Sequence, residues 1–384
     1  MADYKIKVNK KHGGKEFKSA FRFIGKVSEI SKKDQETDSW VKQPIYQQTT
    51  TKTNKQRRVL QFEIETALSN RLRVELSGME QQWAYPYSST HKKPHKVAWA
   101  DRNNKEAFPD NTYHPIEVDW DKTERLGELI KVDEWYEVRG QYQFDVFTPD
   151  SGEEKVYLKR IINSVRPIKD GLIVNDDGTT QTVKHSGEEF DYITDFNDEN
   201  FREVNYFTMQ LGIRSTYQEE GGDTKINGLF LDYGKERSEP KDVELICYQT
   251  EAAEGKISMA DAFASLNTYD FIEATGQDNN RATFAYVDVV EELASDDPFS
   301  SVDSTQKVTR KERVTNGDKK GLEVTSYVQG SLMRELLTEE EVKKSAVLTN
   351  ENPFGGSVAS DDPFNQTANP SDDPFTANSD DPFA

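Results

Sequence analysis

Val59-Leu60-Gln61-Phe62-Glu63-Ile64-Glu65-Thr66 and Leu72-Arg73-Val74-Glu75-Leu76 both alternate apolar and polar residues at period two. That spacing belongs to strands with one face buried and the other wet. Asn70 lies between the runs, where a tight hairpin needs a turn residue. Upstream, Phe21, Phe23 and Ile24 lead into Val27 and Ile30, a further β-rich stretch, and a polar loop follows from Ser31 to about Arg58. Downstream comes a long insertion over about 79–130, with a short helix expected from Asp121 to Ile130. Trp135-Tyr136-Glu137-Val138-Arg139-Gly140-Gln141-Tyr142-Gln143-Phe144 and Lys155-Val156-Tyr157-Leu158-Lys159-Arg160-Ile161-Ile162 complete the set. Five strands, with a helix between the third and fourth, are the ingredients of an OB barrel.

The same order returns further on. Strands are expected over 204–216, 226–233 and 243–248, then a helix over 259–266 capped by Ser258, then strands over 269–275 and 282–290. The fold class is therefore mainly β, with two OB-like barrels, the first carrying a long insertion, followed by a disordered acidic C-terminal tail. The expected boundaries are 15–169 for a basic OB-like domain and 170–200 for a Gly/Asp/Thr-rich linker with a small hairpin around Asp176-Asp177-Gly178. Residues 201–294 form the second OB-like domain. Residues 295–349 hold one motif copy and a small cassette, in which Asn316-Gly317 is a turn signal and Thr338 with Glu341 a capping box. Residues 350–384 are Asn, Ser, Asp, Pro and Gly with isolated phenylalanines, a composition that does not bury enough apolar surface to fold.

Across 384 residues the net charge is −20 and the hydrophobic share 34%, the balance of a soluble chain. No run approaches the length of a membrane span, no signal-peptide pattern opens the chain, and a cytoplasmic location without membrane partners is expected. The single Cys247 excludes an internal disulfide and a multi-cysteine zinc site, and reads as a buried thiol. Charge is unevenly placed. Residues 1–110 hold 22 Lys/Arg against 13 Asp/Glu, a net of +9, while the remainder holds 27 against 56, a net of −29. Such asymmetry points to a nucleic-acid-binding part joined to an acidic arm.

Binding single strands without sequence preference takes cations that track phosphates and flat rings on which bases stack. The loop 31–58 offers Trp40 and Tyr46 beside Lys42, Lys52, Lys55, Arg57 and Arg58. The insertion offers Trp83, Tyr85, Tyr87 and Trp99 around Lys92, Lys93, Lys96 and Arg102. On the hairpin itself, Phe62, Arg71 and Arg73 are further candidates, and Phe21, Phe23 and Tyr142 with Phe62 would form a second stacking platform if they faced outward. The competing reading is that these rings pack in the barrel and the lysines are solvated. Single-stranded DNA is the expected partner.

One short phrase recurs at the C-terminal end. Ser295-Asp296-Asp297-Pro298-Phe299 returns as Ser360-Asp361-Asp362-Pro363-Phe364, Ser371-Asp372-Asp373-Pro374-Phe375 and Ser379-Asp380-Asp381-Pro382-Phe383, with a degenerate copy at Glu351-Asn352-Pro353-Phe354. Proline lowers the ordering cost of binding, phenylalanine suits an apolar pocket, and the aspartates suit a basic rim. The last four phenylalanines are 8 to 11 residues apart. A flexible chain then separates them by roughly 15–20 Å, which favours rebinding and bridging.

These copies resemble the acidic C-terminal tip of bacterial single-stranded DNA-binding proteins, and the plan of basic OB-fold plus acidic tail resembles that family as well. The resemblance implies docking of replication, recombination and repair enzymes onto Pro-Phe and the adjoining aspartates. No catalytic activity and no cofactor are expected. In that family phenylalanine ends the chain, whereas here Ala384 follows Phe383 and the other copies are internal. Chain length, the insertion and the second barrel also depart from the compact bacterial protein. A bacteriophage single-stranded DNA-binding protein, acting in the host bacterial cytoplasm, is the nearest family the plan suggests. Asp-Pro-Phe and Asn-Pro-Phe also resemble the sorting motifs of endocytic adaptors, which makes an adaptor-like interaction protein the alternative reading. Oligomeric state stays open at this point.

Other chemistry finds little footing. Gly13-Gly14-Lys15 lacks the upstream glycine and the following Ser/Thr of a Walker loop. His91 and His95 have metal-pair spacing, but Pro94 argues against the helix that would aim both at one ion.

Overall fold

A computed structural model describes residues 4–34, 39–147, 155–281, 284–290, 309–315 and 319–343. The first barrel is built from β1 (Ser19–Ser28), β2 (Gln56–Ala67), β3 (Asn70–Met79), α1 (Asp119–Leu129), β4 (Trp135–Phe147) and β5 (Lys155–Lys169). Antiparallel pairing joins β1 to β2, β2 to β3, β5 to β4 and β4 to β1. A parallel contact, Ile161 beside Glu75, closes β5 onto β3. The order 1-2-3-5-4, returning to 1, is that of an OB barrel, with α1 between its third and fourth strands. Period-two alternation sets its faces. Leu60, Phe62 and Ile64 oppose Leu76, Val74 and Leu72, and all six are buried.

The hairpin turn falls at Leu68 and Ser69, not at Asn70. Asn70 opens β3 and is buried, accepting from the backbone N–H of Asn280 at 2.8 Å and donating to the Asp278 carbonyl at 3.2 Å.

A second barrel repeats the plan with β6 (Val204–Gln218), β7 (Thr224–Asp232), β8 (Glu239–Cys247), α2 (Met259–Ala264), β9 (Phe271–Arg281) and β10 (Lys319–Tyr327). Strands β6 to β8 form a meander, β10 lies parallel to β8, and β9 closes the circle between β10 and β6. Ser258 caps α2, its Oγ accepting from the Asp261 N–H at 3.0 Å. The chain is thus mainly β, with two OB-type barrels.

The fifth strand of this barrel differs from expectation. Phe284–Val290 does form a strand, but it pairs with Thr309–Thr315 in an arm beyond the barrel. Closure comes from β10, inside the expected cassette, because Leu322 and Val324 there supply buried apolar residues to the core. The expected capping box is present: the Glu341 N–H donates to Thr338 Oγ1 at 3.3 Å, and Glu341 Oε2 accepts from the Thr338 N–H at 3.0 Å. The 316–317 turn and every Asp-Pro-Phe or Asn-Pro-Phe copy lie outside the described residues.

The barrels share a seam. β1 and β6 pair antiparallel from Ile24–Val204 to Ser19–Met209, and one apolar core runs through both barrels. The stretch expected to be a linker is instead packed on this seam. Ile173, Val183 and Tyr192 bury against Ile24, Ile168 and Val204. The hairpin expected around Asp176-Asp177-Gly178 is present, with Leu172–Val174 paired to Thr180–Gln181. Cys247 is a free, buried thiol, and burial pushes its pKa up to about 12. Among the described residues no helix is long and apolar enough to cross a membrane.

Candidate nucleic-acid interface

Both basic segments emerge from the same end of the first barrel, since β1 and β3 run in the same direction and α1 follows β3. The connection from β1 to β2 is an antiparallel ribbon: Ser31–Lys33 pairs with Trp40–Lys42, and Tyr46–Thr50 runs along the start of β2. Trp40 is 71% exposed, and Lys52 and Lys55 sit exposed at the ribbon's tip. The residue types and their exposure suit contact with a polyanion. Lys42 pairs with Glu29 at 3.2 Å.

The ribbon is fixed to α1. Gly127 gives Tyr46 its seat, because a Cβ there would lie 2.8 Å from the Tyr46 ring. Gly78 plays the same part for the helix start: its Cβ would meet the Trp120 backbone nitrogen at 2.1 Å. Arg58 lies over the Trp120 ring at 4.1 Å, binds Glu124 at 2.8 Å and donates to the Trp120 carbonyl at 3.2 Å. Its guanidinium therefore anchors α1 and is withdrawn from the solvent face, contrary to its expected DNA contact. Tyr46 is likewise half-buried against the core.

The insertion 79–118 folds as small paired strands around Ala84, Val97, Phe108 and Tyr113. Lys96 Nζ covers one face of Trp83 at 4.1 Å. Arg102 lies over Trp99 at 4.6 Å and grips Asp121 at 2.8 and 2.7 Å, which lowers the Asp121 carboxyl below its usual range. Trp99 meets Trp120 edge-on at 6.5 Å. Trp83, Tyr85 and Tyr87 are half-buried, whereas Lys92 and Lys93 are exposed. His91 and His95 frame the Tyr113 ring, and His91 contacts Asp110 at 3.2 Å. Among the described residues no cluster of three or more His, Cys, Asp or Glu side chains could hold a metal.

The strand faces correct the second stacking platform. Phe21, Phe23, Phe62 and Tyr142 are all core residues, with Phe21 and Phe23 stacked at 4.5 Å inside the barrel. Phe62 shares the phase of Leu60 and Ile64, so it turns inward with them and is closed to a base. The opposite phase carries Arg57 on β2, Arg71 and Arg73 on β3, and Lys159 on β5. These cations are interleaved with carboxylates. Arg71 contacts Glu65 at 3.3 Å, Arg73 contacts Glu75 at 3.6 Å, and Lys159 contacts Asp145 at 2.5 Å. Burial raises the Glu63 carboxyl above its ordinary value in spite of Arg71 and Arg73.

At the far end of that face stand two rings that sequence reasoning missed. Phe147 is 45% exposed and Tyr157 50% exposed, with centroids 6.4 Å apart on the β4–β5 hairpin. A signal for Phe147 existed. In β4 the inward phase is Tyr136, Val138, Gly140, Tyr142 and Phe144, so an aromatic at 147 falls on the polar phase. The face therefore has rings at one end, a basic ribbon at the other, and paired charges between them.

No protein-family model and no curated protein matches the chain. Among solved structures it is similar to the wild-type single-stranded DNA binding protein from Thermus aquaticus, with a TM-score of 0.34 and 10% identity, over 68% of this chain and 85% of that one. A deletion mutant of the same protein gives a TM-score of 0.31 and 11% identity over the same shares.

Proposed function

We propose that the chain is a non-enzymatic single-stranded DNA-binding protein of replication and recombination. In this reading it coats exposed strands and recruits partner enzymes through its Asp-Asp-Pro-Phe copies. The observation that carries the reading is an OB barrel whose open face joins exposed rings, Phe147 and Tyr157, to the exposed Trp40, Lys52 and Lys55 of the β1–β2 ribbon. OB barrels bind oligonucleotides on the face of strands two and three, rimmed by the loops after strands one and four. Rings stack bases and lysines neutralise phosphates, a division of labour that suits any sequence. The Asp-Pro-Phe copies would then engage apolar pockets with basic rims on replication enzymes, and a phage-encoded protein is the finer form of this proposal.

Tryptophan fluorescence titrated with poly(dT) at several salt concentrations tests the reading. Quenching is expected, through Trp40 above all, with an affinity that falls linearly in log salt as released counterions demand. Absence of quenching even in dilute buffer would leave the adaptor-like alternative.

A further expectation concerns competition between the acidic end and the basic ribbon. Residues 295–384 are not removable as a block, since they include β10. Ending the chain after Lys343 keeps both barrels and removes three complete Asp-Asp-Pro-Phe copies and the Asn-Pro-Phe copy. At low salt this truncation should tighten oligo(dT) binding roughly two- to tenfold, fading as screening rises. Equal affinity of the two chains at low salt would exclude competition.

A further inference from the structure

At the other end of the outward row of β4 from Phe147, three arginines surround one carboxylate. Glu137, on β4, is 1% exposed. Its Oε1 accepts from Arg22 Nε at 2.7 Å and Arg139 Nη2 at 3.1 Å, and its Oε2 accepts from Arg166 Nε at 2.8 Å and from Arg166 Nη2. Arg166 also donates to Asn175 Oδ1 at 2.8 Å, and Arg22 to the Lys184 carbonyl. Among the described residues Glu137 is the one acid paired with any of the three. The group thus carries two positive charges in excess.

The β ladder makes that excess costly. Arg22 and Arg139 are direct cross-strand partners, and like charges placed directly opposite are destabilising. Arg139 is the least committed of the three. Glu137 is its partner, and its buried Nε has no acceptor among the described residues. Burial alone would raise the Glu137 carboxyl, but the three guanidiniums together outweigh it and hold it below the usual range. Burial, with Arg139 and Arg166 adding to it, lowers the Arg22 pKa. A second anion would relieve this repulsion. Guanidinium forks match the oxygens of a phosphate, and all three side chains retain some solvent exposure.

We infer that Arg22, Arg139 and Arg166 form a phosphate-binding site, occupied by a phosphodiester of the bound strand. The location supports that occupant. Outward residues of β4 run in one line from Arg139 through Gln141, Gln143 and Asp145 to Phe147, roughly 26 Å at the rise of a strand. A strand stacked on Phe147 and Tyr157 reaches the arginines by following β4. The choice of a nucleic-acid phosphate rests on the proposed function; the anion site itself does not.

The test uses the full chain and the variant Arg139→Gln, at the least committed of the three arginines. Melting is measured in inorganic phosphate and in chloride at equal ionic strength. The wild type should gain more from phosphate than R139Q does, a difference that cancels the general salting effect of phosphate. In oligo(dT) titrations the slope of log affinity against log salt should become shallower by about 0.7 in R139Q, the value of one single-strand phosphate contact. Glu137→Gln, which removes the competing carboxylate, should melt lower in chloride and recover more in phosphate than the wild type. Equal response of wild type and R139Q to phosphate would overturn the site and leave the cluster a structural ion network. A phosphate response with an unchanged slope would overturn the strand as its source and assign free phosphate. A wild type that ignores oligo(dT) defeats the proposed function, while the phosphate arm still decides the anion site.

Discussion

Asp278→Ala is expected to destabilise the fold by about 3–5 kcal/mol, the cost of stranding a buried charge when its partner is removed. Asp278, on β9 of the second barrel, is fully buried and takes both forks of Arg160 from β5 of the first, at 2.6 Å each. Tyr142 of β4 donates its hydroxyl to the same carboxylate at 2.8 Å, and burial together with that carboxylate lifts the Tyr142 pKa far above its ordinary value. The backbone around Asp278 is equally engaged. Its carbonyl accepts from Asn205 at 2.6 Å and its N–H donates to Asn205 Oδ1 at 3.2 Å. The alanine variant leaves Arg160 charged, largely removed from water and without its carboxylate. Denaturant unfolding monitored by tryptophan fluorescence reads the loss. Pairing Asp278→Leu with Arg160→Met should regain most of it, since an apolar pair carries no desolvation debt. A loss below about 1 kcal/mol would mean that water enters the seam and the pair behaves as a surface one.

This junction was closed to sequence reading for a physical reason. A buried ion pair between residues 118 positions apart leaves no periodic trace, and Arg160 and Asp278 look like any other polar residues in a strand. The first barrel was legible because burial of one face imposes alternation, as the run from Leu60 to Ile64 shows. That same alternation already placed Phe62 inside. The second barrel was harder, since the apolar run Phe284–Val290 reads as the better core strand, yet it pairs in the arm while the more polar β10 closes the barrel. Cation counts located the basic region but could not apportion its charges. Arg58 and Arg102 are tied to α1 and the insertion by Trp120, Trp99 and Asp121, whereas Lys52 and Lys55 are exposed at the ribbon tip. Pairing is a property of three-dimensional distance, and composition carries none of it.

Replacing both Phe147 and Tyr157 by alanine should weaken oligo(dT) binding by about 2–6 kcal/mol, at ~1–3 kcal/mol for each base that loses its ring. Their exposure means the barrel loses little packing, so the melting temperature should stay near that of the wild type. The salt slope should also hold, because neither ring neutralises a phosphate. This combination separates stacking from electrostatics. Lys52→Gln with Lys55→Gln should do the reverse, making the slope shallower by about 1.4 if both lysines contact phosphates of a single strand. Fluorescence anisotropy of a labelled oligo(dT) measures affinity and slope together, and each single-ring variant completes a cycle that reports whether the two rings share one base or hold two. Additive losses indicate two bases; a double variant no weaker than either single one indicates a shared sandwich. Wild-type affinity in the double variant would remove the β4–β5 rings from the interface, leaving the Trp40 ribbon to supply the stacking surface.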